Sequence, residues 1–237
     1  MPACQITLSA NAGVALHLGA VRIWSDALHN HKISGFSTLT PELQSTLQSH
    51  PDFFKPDLIF YTHCHPDHYS HSLTARALKQ NPQALLALPE PAFEQQVLLT
   101  GERCRLSVGP ISAEFARLPH EGKEYIHVPH YGCILENSGF RVLIPGDCAL
   151  AAPQLGDFIG GRNIDLALVD FPWVTLQKGR RFLEQIIQPE HLLVYHLPFP
   201  QDDRWGYRRA TEKAAPLLSG IPDVRLLLEP FQQEVIP

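Results

Sequence analysis

Residues 63 to 68 read His63-Cys64-His65-Pro66-Asp67-His68, which puts four potential metal ligands in six positions. They follow Asp57-Leu58-Ile59-Phe60-Tyr61, an apolar and aromatic run of strand length. In an extended chain, residues two apart point the same way. His63, His65 and Asp67 would therefore share one direction where the strand runs out, with His68 turned to the other side. A cluster of this kind suits two adjacent cations better than one. Imidazole and carboxylate donors fit zinc, iron or manganese and are poor for calcium. The chain carries 13 histidines, so a His-rich surface loop is the competing reading. The coincidence of strand end, ligand spacing and aspartate argues against it. Cys64 alternates with two of the ligands, so its thiol is expected to face away from the metals and pack.

Asp147, in Pro145-Gly146-Asp147, follows the apolar run Phe140 to Ile144, and His196 closes Leu192-Leu193-Val194-Tyr195. Together with the first motif, these residues resemble the signature of the metallo-β-lactamase-fold hydrolases. The layout over roughly residues 4 to 230 is similar to the compact branch that includes the ascorbate-6-phosphate lactonase-like proteins. The resemblance implies that Asp147 bridges two metals and that His196 is the last histidine ligand. It also implies a third histidine ligand between the first motif and Asp147, where the chain offers His120, His127 and His130. His120 is preferred, because it follows the plausible strand Ala113 to Leu118 and so sits at a strand end. His127 and His130 stay open as ligands; a histidine of this trio that is not a ligand could line the pocket mouth, and His130 is assigned to substrate binding on that basis.

The implied assignment places His63, His65 and His120 on one divalent ion and Asp67, His68 and His196 on a second, with Asp147 shared. The ions are expected to be Zn2+, with Mn2+ or Fe2+ as alternatives. Two such ions can bind one water between them, lower its pKa to supply hydroxide at neutral pH, and polarise a scissile carbonyl or phosphoryl oxygen. Asp67, His68 and Asp147 are the residues assigned to catalysis, Asp67 by orienting the water. No Gly-x-Ser-x-Gly elbow or phosphate-binding glycine loop competes with this chemistry. After His196, the segment Pro198 to Arg209 mixes cations with aromatics, and Arg204 and Arg208 are candidate clamps for a phosphate or carboxylate. The competing reading is a solvated helix start. Phe171-Pro172-Trp173 reads either as an apolar pocket wall or as a packed loop.

Elements must exist to position these groups. Strands are expected near 4–9, 13–18, 20–25, 57–62, 84–88, 104–108, 112–118, 130–136, 140–145, 165–169, 191–196 and 224–229. Helices are expected near 41–49, 72–80, 90–99, 178–187 and 206–218. Thr40-Pro41-Glu42 has the form of a helix start, with a capping hydroxyl, a proline in the first turn and then an acid. Gly160-Gly161 reads as a turn. Early hairpins followed by alternating strands and helices argue for two packed sheets with helices outside. The resemblance sharpens this to an α/β four-layer αββα sandwich of two mixed sheets, a single hydrolase domain over residues 1–237. Ligands at strand ends would then meet at one edge.

Composition bounds the function classes. A hydrophobic fraction of 44% and a charged fraction of 18% are globular values, and a net charge of −5 gives no broad basic surface for nucleic acid. The start, Met1-Pro2-Ala3-Cys4-Gln5, lacks a basic segment followed by an apolar core, and no apolar stretch approaches the roughly 20 residues that span a bilayer. Five cysteines without paired spacing read as reduced thiols, so a cytoplasmic protein is expected. Cys148 is expected as a buried neutral thiol. The function expected is hydrolysis of a small, anionic ester, lactone or phosphodiester. The alternatives are a nucleic-acid phosphodiesterase resembling the tRNA 3′-processing relatives, a di-iron redox protein, and a metal-binding relative without catalysis.

Overall fold

The computed structural model describes residues 4–237; Met1 to Ala3, part of the segment read as lacking a leader, lie outside the described residues. Strands β1 (Cys4–Leu8), β2 (Val14–Leu18), β3 (Val21–Ser25), β4 (Leu58–Phe60), β5 (Leu85–Leu88) and β6 (Val97–Leu98) build most of one sheet. Strands β7 (Arg103–Val108), β8 (Ile111–Arg117), β9 (Tyr131–Asn137), β10 (Phe140–Ile144), β11 (Leu166–Asp170), β12 (His191–Tyr195) and β13 (Asp223–Leu226) build the other. A last strand, β14 (Gln233–Ile236), returns to the first sheet beside β1. The orders are β14-β1-β2-β3-β4-β5-β6 and β13-β12-β11-β10-β9-β8-β7, seven strands each. Both sheets are mixed: the pairs among β14, β1, β2 and β3 are antiparallel and those from β3 to β6 parallel, and the second sheet changes from antiparallel to parallel at β10.

Side-chain alternation divides the apolar residues of the second sheet between two cores. Val142 and Ile144 of β10, Leu166 and Leu168 of β11, and Leu193 and Tyr195 of β12 join the core shared with the first sheet. Their neighbours Leu143, Ala167, Val169, Leu192 and Val194 face the helices on the outer side. Strands that read as continuous apolar runs are therefore covered on both faces. Phe60 of β4 and Phe115 of β8 meet edge to face across the interior, with ring centroids 5.4 Å apart. The helices α1 (Pro41–Ser49) and α2 (His71–Gln80) follow strands of the first sheet, and α3 (Pro153–Ile159), α4 (Pro172–Thr175), α5 (Gln177–Phe182) and α6 (Tyr207–Ala214) belong to the second half. The Thr40 hydroxyl accepts from Leu43 N–H, as the capping pattern requires.

Several expectations are corrected. Residues 90–99 form no helix. The Gln96 side-chain carbonyl accepts both the Ala92 and Phe93 amides at 2.7 Å, holding a loop between Pro91 and β6. The helix expected over 178–187 is α5 followed by one π turn, Leu183–Ile187. The short helices α3 and α4 and the strand β14 were not expected. Gly160 closes α3 with φ +59°, the left-handed cap that favours glycine. Trp173 is fully buried in α4 instead of lining a pocket. No helix is long and apolar enough to cross a membrane among the described residues. All five cysteines are unpaired.

Candidate metal centre

Parallel topology brings the carboxyl ends of several strands to one edge, and the chemistry collects there. Asp26 directly follows β3, Thr62 and His63 follow β4, His120 follows β8, Asp147 follows β10, and His196 follows β12. Turns at carboxyl ends of parallel strands are where such sheets place ligands. The two sheets are also joined at this edge by the main chain, because Tyr131 N–H donates to Thr62 O at 2.8 Å. The segment holding His120 pairs with the one holding Asp147: Glu121 N–H donates to Asp147 O and Ala149 N–H to Pro119 O, both at 2.8 Å. His120 is thereby fixed against Asp147 by backbone rather than by side-chain packing alone.

Among the described residues, three groups of side chains converge closely enough to hold cations: His63, His65 and His120; Asp67, His68 and His196; and His63, His68 and Asp147. Asp147 Oδ2 lies 3.3 Å from His68 Nε2, 3.7 Å from His196 Nε2, and 3.9 Å from both His63 Nε2 and His120 Nε2. One carboxylate oxygen thus faces imidazoles of both the first and the second group. The Nε2 atoms of His63 and His120 are 3.3 Å apart, and those of His68 and His196 are 3.0 Å apart.

The outer hydrogen bonds decide what those nitrogens carry. The Thr62 hydroxyl donates to Asp26 Oδ2 at 2.9 Å, so at its 3.0 Å contact with His63 Nδ1 it must accept, and the His63 proton sits on Nδ1. His120 Nδ1–H donates to Glu121 O at 2.7 Å. His68 Nδ1 lies 3.4 Å from Asp26 Oδ2, with both side chains fully buried. The facing Nε2 atoms of His63 and His120 then present lone pairs to one another, which is repulsive unless a cation lies between them. Tetrahedral ligation at ~2.0–2.1 Å separates nitrogen ligands by roughly 3.3 Å, close to the spacings seen here. The donor set and its outward hydrogen bonds fit a zinc-, manganese- or iron-type site.

Electrostatics in the cluster follow burial and charge. Burial pulls the His63 imidazole well below its usual range, helped by His68. His68 goes the other way: against its burial, the Asp147 carboxylate and then Asp26 hold it well above the usual value. Asp147 is held well below the ordinary carboxylate range by His68 and His196, which together overcome its burial. Asp170, at the end of β11, is pushed well up by burial and then by Asp147, so the two carboxyl groups share the negative charge unequally.

Not every candidate reaches this cluster. His127 is exposed on the loop before β9 and belongs to none of the converging groups. His130 is fully buried and cannot line a pocket mouth, which corrects its assignment to substrate binding. Its Nδ1 contacts Leu118 O at 3.2 Å, and its ring supports His63 and His120 from behind at 5.3 and 5.4 Å. Burial pulls its pKa down to about 3, so the ring is neutral. Arg208 is not a free clamp either. Its guanidinium donates to Leu228 O at 2.7 Å, Pro198 O at 3.3 Å and Glu229 Oε1 at 2.8 Å. Arg204 is exposed and donates to Ser34 Oγ at 3.2 Å. Arg180 is half-buried and donates to the Val174 and Thr175 carbonyls. Cys64 packs against the inner core and Cys148 is buried, and neither joins a converging group.

Other contributors escaped the sequence. Asp26 is the main one, and its signal was available: an acid directly after the strand-like segment Val21 to Ser25. Its Oδ1 also accepts Thr62 N–H at 2.8 Å. Asn11 is fully buried at φ +50° and ties two ligand segments together, its carbonyl accepting His196 N–H at 3.0 Å and its amide donating to Asp67 O at 3.4 Å. His196 itself sits at φ +58°, a left-handed position uncommon for a side-chain-bearing residue and one that this contact holds.

Solved structures share this architecture. The chain superimposes on the metallo-beta-lactamase fold protein YhfI of Bacillus subtilis with a TM-score of 0.65 at 14% identity, covering 100% of both chains. The chain has the metallo-β-lactamase fold. Igni18, a metallo hydrolase of the archaeon Ignicoccus hospitalis, matches with a TM-score of 0.67 at 17% identity, over 99% of each chain. CmlA, a diiron β-hydroxylase of Streptomyces venezuelae, matches with a TM-score of 0.65 at 13% identity, over 98% of this chain and 54% of that one. The metallo-β-lactamase fold is thus shared with both hydrolytic and oxidative metalloproteins. No protein-family model matches the sequence, and no curated protein matches it.

Proposed function

We propose that the protein is a metal-dependent hydrolase of a small-molecule ester, lactone or phosphodiester, working with two divalent cations, Zn2+ first among the candidates. His63, His65 and His120 would hold one ion, Asp67, His68 and His196 the other, and Asp147 would serve both. The observation that carries the reading is the position of Asp147 Oδ2, within 4 Å of imidazole nitrogens belonging to both histidine groups. When bound, such ions make water acidic enough to act as a nucleophile near neutral pH and polarise the bond under attack. The five histidines outnumber the two carboxylates among these donors, which favours hydrolysis over the di-iron alternative that the fold also supports.

The chain's own residues do the rest. Asp26 and Thr62 hold His68 and His63 in orientation from behind, so the ligand nitrogens need no reorganisation when substrate arrives. Asn11 keeps Asp67 and His196 in register. Asp67 is 8% exposed and His120 9%, whereas His63 and His68 are fully buried, so solvent and substrate reach the cluster from the Asp67, His65 and His120 side. Asp67 is held below the usual carboxylate range against its burial by His68 and His196, so it remains an acceptor that can orient an attacking water. Hydrolysis then adds the water oxygen to the acyl or phosphoryl centre, and the proton leaves with the departing oxygen.

Elemental analysis of protein purified without added metal, followed by a screen of esters, lactones, thioesters and phosphodiesters, tests the proposal. Two ions per chain with turnover of at least one ester class is expected, and His65→Ala should lose metal and turnover together. A single tight ion that reconstitution does not increase would refute the dinuclear assignment.

A further inference from the structure

From the side chains around the mouth of the centre, we infer that the substrate carries an aryl or extended apolar group, and that Tyr125, Ile126, Phe36 and Tyr207 select it. The inference rests on the hydrolase reading above and specifies the substrate class for the same site. Aromatic rings touch the ligand imidazoles on both flanks. Tyr125 lies 4.8 Å from the His65 ring and 4.9 Å from the His120 ring. On the opposite flank, Phe36 meets His196 edge to face at 4.9 Å. Phe36 stacks in turn on Tyr207 at 6.2 Å, and Tyr207 on Phe171 at 4.3 Å. These rings border the imidazoles that would hold the ions.

Exposure argues in the same direction. Ile126, next to Tyr125, is 73% exposed, the highest value for a large apolar side chain among the described residues, and Tyr125 is 40% exposed. Apolar surface left open beside a catalytic cluster is a mark of ligand binding. Of the nearby guanidinium groups, Arg208 is committed to Glu229 and two carbonyls. The loop around Phe36 is itself anchored, with Ser37 Oγ donating to Asp202 Oδ2 at 2.8 Å and accepting Phe199 N–H at 2.7 Å. The aromatic wall is therefore preorganised rather than formed on binding.

Two hydroxamates with the same metal-binding head test this without turnover. Metal-loaded protein is titrated calorimetrically with acetohydroxamic acid and with 4-phenylbutyrohydroxamic acid. The aryl compound should bind at least about tenfold more tightly, because its chain and ring lose water against the rim. That ratio should fall severalfold in Ile126→Ser and in Tyr125→Ser, both exposed positions where folding is not at stake, and metal content per chain is measured alongside. Equal affinities in the unaltered protein, or a ratio unmoved by both substitutions, would overturn the apolar rim while leaving the metallohydrolase reading intact. Failure of both hydroxamates to bind protein shown to hold two ions would overturn both.

Discussion

Replacing Asp26 by Asn probes how the ligand histidines are held, without touching a ligand. The carboxylate accepts Thr62 N–H at 2.8 Å and Thr62 O–H at 2.9 Å, and faces His68 Nδ1 at 3.4 Å. Asn at this position keeps one acceptor, which can retain the Thr62 amide. Its NH2 group then meets two donors, the threonine hydroxyl and the His68 Nδ1–H. Hydrogen bonds to a charged partner contribute about 1.5–3 kcal/mol each, so losing the one from the Thr62 hydroxyl costs roughly that much in stability, with the His68 contact weakened as well. The same loss frees His68 to rotate and releases the Thr62 hydroxyl that orients His63. Removing a partner of this kind typically weakens metal binding about 10- to 100-fold, equivalent to about 1.4–2.7 kcal/mol. Competition against a chelator of known affinity measures this, with thermal unfolding recorded with and without metal. Metal affinity should fall within that range, while Asp57→Asn, at an exposed residue outside the cluster, leaves it unchanged. An Asp26→Asn protein that binds metal like the unaltered one would show that His68 and His63 are held by packing alone.

Further substitutions separate roles at the centre. His120→Ala should lose one ion and most activity by elemental analysis and turnover, whereas exposed His127→Ala should change stability by no more than about 0.5 kcal/mol and keep both ions. Gly146→Ala should destabilise by about 1–3 kcal/mol in urea, because the glycine has φ +62° and an added Cβ would lie 2.7 Å from His130 Nε2 and 2.8 Å from Thr62 Cβ. Arg208→Ala should cost about 1–3 kcal/mol in the same assay by freeing the Leu228 and Pro198 carbonyls, and should not change KM more for anionic than for neutral substrates. Cys64→Ser should leave metal content unchanged; loss of metal would show that strand alternation does not turn the thiol away.

The residues of the centre that could be read along the chain were those whose chemistry is local. His63, His65, Asp67 and His68 announce themselves because the ligand types stand two residues apart after a strand, and a period of two is dictated by extended backbone. Asp147 and His196 were visible through the family resemblance, which points to an aspartate and a histidine each closing an apolar run. The division into two sheets was also legible, since long apolar runs with turns between them can be buried only by facing layers. What tertiary structure alone decided was which of several similar groups arrive. His120, His127 and His130 lie within eleven residues, yet backbone pairing with residues 147–149 brings in His120, burial behind the cluster takes His130, and a surface loop carries His127 away. Asp26 and Asn11 lie 37 and 52 residues before His63, and no local pattern links them to it; the parallel pairing of β3 with β4 and the backbone bond from His196 to Asn11 do. Arg208 had the composition of an anion clamp, but a guanidinium goes to whichever acceptors the fold places beside it, and here they are Glu229 and two carbonyls.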